Sequence, residues 1–99
     1  LKRQDLFNFF EITFELALKV LKDYLEAQGY IVKSPRETIK QAYQMEVIDD
    51  GHVWIEALSS RNLTTHAYDE QFTEKFVQDI QQVYFPLFKS LYEKLLEEY

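Results

Sequence analysis

The chain has no cysteine. Disulfides, thiolate metal centres and cysteine nucleophiles are therefore excluded. It carries only two glycines and two prolines, too little turn chemistry for a β-rich fold, so the expectation is a few long elements. No apolar run approaches the ~20 residues of a membrane-spanning helix. Cations are scarce: 11 Lys and Arg stand against 17 Asp and Glu, a net charge of −6. Such a surface disfavours nonspecific binding to nucleic acid or to anionic membranes. No secretory signal pattern opens the sequence, which favours the cytoplasm. It begins at Leu1 rather than methionine, so a trimmed N-terminus is expected.

Aromatic residues are plentiful, at 16% of 99 residues. Large side chains suit a small core, and this length bounds the chain at one domain, residues 1–99. Apolar spacing then predicts helices throughout. The first spans Asp5 to Gln28 and stops at Gly29, with Phe10, Phe14, Ala17, Leu18, Leu21 and Leu25 as its core stripe. A second row, Phe9, Ile12, Leu16 and Val20, widens that face. Burial on two sides of the bundle, a subunit interface, or a missing N-terminal helix would each account for it.

Ser34-Pro35-Arg36-Glu37 is a helix start: a serine cap, proline at the first helical position, and a glutamate that completes the capping box. That helix runs through Ile39, Ala42 and Tyr43 to about Glu46. Val47 to Gly51 reads as a turn, and the Asp49-Asp50 pair before Gly51 reads as a cap rather than a metal site. No metal or cofactor is expected. A third helix starts near Gly51, with Trp54, Ala57 and Leu58 inward and Arg61 on the same side. Asp69 is placed to cap the last helix. There, Phe72, Phe76, Ile80, Val83, Leu87, Leu91 and Leu95 form the predicted core row, and Pro86 within it predicts a kink. The sum is an all-α, up-and-down helical bundle of the four-helix type.

Chemistry concentrates between Ser60 and Asp69, which holds Arg61 and one of the two histidines, His66. Taken alone the pair is weak. An arginine on an apolar stripe is more often one end of an ion pair, and a lone histidine near a helix end is more often a cap. Five residues rotate a side chain by about 140°, so the two would not converge on one regular helix. They would meet if the helix loosens at Thr64-Thr65, or if a second subunit supplies its own copy across a two-fold axis.

The runs Phe14-Glu15-Leu16-Ala17-Leu18-Lys19, Ser34-Pro35-Arg36-Glu37, Ile48-Asp49-Asp50-Gly51 with Val53-Trp54, and Arg61 through Asp69 resemble the HEPN superfamily. Within it, they resemble the nucleotidyltransferase substrate-binding proteins encoded beside a minimal nucleotidyltransferase. The resemblance implies a dimerising four-helix bundle, with the family's usual first helix missing or trimmed here. It also implies a motif of Arg, four residues, His, one residue and Tyr, which falls on Arg61, His66 and Tyr68. Asn62 matches the polar residue that follows the arginine. By the same resemblance, Arg61 and His66 would form a metal-independent ribonuclease site at the dimer cleft of a toxin. Tyr68 would be the residue that the partner nucleotidyltransferase silences with AMP.

Local charge favours a different reading. Between Glu46 and Glu74 stand seven acids and one base, Arg61, whereas RNA binding draws on several cations. RNA as a partner would need Lys or Arg from other helices or the second subunit. The alternative is a non-catalytic subunit that binds substrate for its nucleotidyltransferase.

Overall fold

The computed structural model describes residues 2–63 and 70–97. All regular structure among them is helical. The first helix, α1 (Arg3–Ala27), is followed by α2 (Pro35–Gln44) and α3 (Gly51–Leu63). The fourth is built from α4 (Glu70–Asp79), a π-helical turn (Ile80–Tyr84) and α5 (Phe85–Glu97). The residues flanking that turn, Asp79 and Phe85, both keep right-handed helical dihedrals, so the backbone runs through without a break.

Local sequence sets the helix ends. After α1 the chain turns through Gly29 at φ +94°. The Gly29 amide donates to Glu26 and the Tyr30 amide to Leu25, closing the Schellman pattern that glycine allows at little steric cost. The end of α2 has the same pattern, with Glu46 amide to Tyr43 and Val47 amide to Ala42. Here the left-handed position is taken by Glu46 at φ 60°, a conformation that disfavours a side-chain-bearing residue. The start of α2 is the predicted capping box. The Glu37 amide donates to Ser34 Oγ at 3.1 Å, and the Glu37 carboxylate accepts from the Lys33 amide at 2.9 Å. At the start of α3 the Asp50 carbonyl accepts the first helical bonds, from the Val53 and Trp54 amides.

Four helices pack around an aromatic core. Phe10 is fully buried, and its ring lies 5.0 to 6.1 Å from those of Phe14, Phe76, Tyr84 and Phe88. Trp54 of α3 closes the cluster against Phe14 and Phe88. Contacts between α1 and the fourth helix climb together. Arg3 pairs with Glu70, Phe7 meets Phe76, Phe14 meets Phe88, and Val20, Tyr24 and Ala27 share a groove with Tyr92, Leu95 and Leu96. These two helices are therefore parallel. From Trp54 against Phe88 to Ser60 against Tyr84, α3 runs the opposite way. The four-helix, all-α class is as expected. Strict up-and-down alternation is refined, because the 10-residue α2, about 15 Å long, is too short to return the chain along the full length of α1.

The last helix differs from its predicted phase. Val83 is 38% exposed and Leu87 is only partly buried, while Tyr84 and Phe88 enter the core. Pro86 explains the shift. It has no amide hydrogen, and its ring would crowd the carbonyl of Gln82 in a regular helix. The preceding turn widens instead, with the Phe85 amide bonding the Ile80 carbonyl five residues back. The extra residue in that turn rotates Val83 and Leu87 outward while Leu91 stays inward, so the core row runs Phe76, Ile80, Tyr84, Phe88 and Leu91.

Candidate functional site

The last turn of α3 carries Arg61. Trp54, Ala57 and Leu58 bury the inner face of this helix, and Arg61 continues it in the last described turn. Its guanidinium carbon lies 5.8 Å from the centroid of the Phe14 ring on α1, within cation–π range. Nη1 lies 3.9 Å from Glu15 Oε1, and the Arg61 side chain keeps 24% exposure. Nη2 donates to Asn62 Oδ1 at 3.3 Å. The head group thus sits over an aromatic ring with the Glu15 carboxylate near it, partly open to solvent.

Behind Arg61 lies a second polar group. Ser60 Oγ is 3.3 Å from the Tyr84 hydroxyl, which donates to Glu56 Oε1 at 3.4 Å. Glu56 and Ser60 are one turn apart on α3 and form one ridge facing the fourth helix. Burial pushes the Tyr84 phenol up to about 12, and the charges of Glu56 and Asp79 act the same way, while the Ser60 hydrogen bond opposes them. Tyr84 therefore stays a neutral donor at physiological pH. Nearby, Lys75 donates to Asp79 at 2.8 Å. That bond, with Asp79's charge, raises the lysine above its ordinary value.

Of the residues singled out in the sequence, Arg61 and Asn62 are placed here. His66, Tyr68 and the Asp69 cap, with Thr64, Thr65 and Ala67, lie outside the described residues. Sequence reasoning missed Glu15 as the carboxylate beside Arg61, and Tyr84 and Ser60 as the link behind it. Glu15 lies within the first run quoted for the family resemblance, so a signal for it was present. Among the described residues no cluster of His, Asp and Glu could hold a metal ion, and no helix is long and apolar enough to cross a membrane.

A small all-α bundle with an arginine seated on its first helix defines the class. The chain belongs to the family described as nucleotidyltransferase substrate binding protein like, whose model matches residues 1–97. No curated protein matches it. The HEPN-type resemblance drawn from the motifs is thereby shown, and the family's name implies pairing with a nucleotidyltransferase.

Proposed function

We propose that the protein is a HEPN-type toxin of a toxin–antitoxin pair: a cytoplasmic, homodimeric, metal-independent endoribonuclease controlled by AMP transfer from a partner nucleotidyltransferase. The observation that carries this reading is the seat of Arg61, a partly open guanidinium at the end of α3, held between Phe14 and Glu15. In the proposed reaction His66 takes the proton of a ribose 2′-hydroxyl, and the 2′-oxygen attacks the adjacent phosphorus. The 5′-oxygen leaves and is protonated, giving a cyclic phosphate end and a 5′-hydroxyl end. Arg61 stabilises the charge on the phosphoryl oxygens. Asn62 supports Arg61 through its hydrogen bond. Control falls on Tyr68: its oxygen attacks the α-phosphorus of ATP, pyrophosphate leaves, and the added nucleotide blocks the cleft.

Dimerisation rests on the second apolar row of α1. Phe9, Ile12 and Leu16 are 55%, 67% and 59% exposed, so the row does not fill a second side of this bundle. Ile12 and Leu16 flank Glu15, the partner of Arg61. A second copy seated on them would bring the two Arg61 sites together and cover apolar surface that a monomer would leave in water.

A second reading, a non-catalytic subunit that binds substrate for the nucleotidyltransferase, is favoured by the carboxylate beside Arg61 and by the acidic balance of the chain. Expression without the partner separates the two. The toxin reading predicts growth arrest and broken RNA, both relieved by His66→Ala; equal, harmless behaviour of both forms would support the binding subunit. Incubation with the nucleotidyltransferase and ATP tests control: an AMP-sized mass gain is expected, lost in Tyr68→Phe, and a gain that persists in that variant would reject Tyr68.

A further inference from the structure

The π-helical turn before Pro86 does more than absorb a proline. In a regular helix Val83 and Tyr84 would both border the core; the widened turn rotates Val83 outward and keeps Tyr84 inward. Among Phe10, Phe76 and Phe88 a phenylalanine would fill the same space, and a buried hydroxyl is costly unless it is hydrogen-bonded. The partners of this hydroxyl, Glu56 and Ser60, both lie on one ridge of α3. Ser60 immediately precedes Arg61. The last described turn of α3 is held on the core side by Tyr84 and on the α1 side by the seat of Arg61 on Phe14 and Glu15.

We propose that Tyr84 is a positioning residue: aimed by the π turn, its hydroxyl holds the last turn of α3 at Glu56 and Ser60, and so fixes where Arg61 presents its guanidinium. The functional value of this role rests on the reading that Arg61 works on phosphate, but the role itself is physical and is measured without substrate. Tyr84→Phe removes one oxygen and keeps the ring in the core. Ser60→Ala removes the partner from the opposite helix and serves as a second, independent variant.

The experiment is NMR on the ¹⁵N-labelled full chain, following the Arg61 Nε–Hε signal and the amide exchange of residues 60–63. Each variant is expected to move the Arg61 signal, which senses the Phe14 ring current. Each is also expected to speed exchange in residues 60–63 by about three- to tenfold, the worth of one net hydrogen bond, beyond any change at buried Leu21 and Ile39. A purely structural role would raise all protected amides together and leave the Arg61 side chain unmoved; an unmoved signal in both variants overturns the proposal. Neither readout uses RNA or nucleotide. Absent RNA cleavage by the wild type would count against the ribonuclease reading alone.

Discussion

The Arg61 guanidinium packs over the Phe14 ring at 5.8 Å and approaches the carboxylate of the next residue, Glu15, at 3.9 Å. One turn of α1 thus gives the arginine an apolar seat and a counter-charge. The two contacts differ in energetic weight. Phe14 is fully buried at the centre of the core, so Phe14→Ala is expected to cost about 3–5 kcal/mol. Glu15 is 63% exposed, so Glu15→Gln is expected to change stability by less than about 1 kcal/mol. Urea denaturation measures both. A large loss from Glu15→Gln would mean that this ion pair holds the fold rather than orienting Arg61.

Tyr84 should leave a mark on alkaline stability. Its folded-state pKa, about 12, lies above the ordinary 10 because the phenol is buried and faces Glu56 and Asp79. Above pH 10 the unfolded chain releases this proton while the folded chain keeps it, so stability falls as pH rises from about 10 to 12. Below the unfolded value the contribution is fully present. Lys75, also raised, acts in the same direction, so the comparison must be between wild type and Tyr84→Phe. The variant is expected to lose less stability between pH 9 and 11.5 by urea midpoint. Equal slopes would place the ionised phenol at no disadvantage in the fold.

Backbone conformation predicts a pair of opposite effects. Glu46 occupies the left-handed position after α2 that glycine occupies after α1. Glu46→Gly is expected to stabilise by up to about 1 kcal/mol. Its carbonyl, which accepts from Lys94 Nζ, is kept. Gly29→Ala has open space for the new methyl but sits at φ +94°, and is expected to destabilise by about 1 kcal/mol. Shifts in denaturation midpoint at constant slope test both signs.

The phase of the last helix is tested by two substitutions. Val83→Lys is expected to stay within about 0.5 kcal/mol of wild type, as at a surface position. Phe88→Ala is expected to cost about 3–5 kcal/mol. The reverse order would contradict the π turn and mean a regular helical phase through Pro86.

Much of this fold was legible because its signals are local. Ser34, Pro35 and Glu37 announce the start of α2, Gly29 ends α1, and the spacing of Trp54, Ala57 and Leu58 gives the inner face of α3. Val83 and Leu87 were misplaced because periodicity assumes 3.6 residues per turn throughout, and a wider turn breaks that assumption. Pro86 marked the place of the irregularity, but it predicts a bend as readily as an inserted residue. Arg61 was found from its helix stripe and motif. Glu15 and Tyr84, its supports, come from 46 positions before it and 23 after it, and only tertiary packing brings them there.

The proposed dimer makes a plain prediction about mass. A chain of 11.9 kDa should sediment as a pair, and Leu16→Asp, which places a charge in the exposed apolar row, should yield folded monomer. A monomeric wild type at high micromolar concentration would exclude Ile12 and Leu16 as a self-association surface.

Ribonuclease activity is tested most directly by cleavage of RNA by the purified protein in excess chelator. Wild type is expected to cut RNA and leave 5′-hydroxyl ends, while His66→Ala and Arg61→Ala, folded by circular dichroism, lose at least about a hundredfold in rate. Intact RNA with the wild type, or cleavage undiminished in both variants, would contradict it.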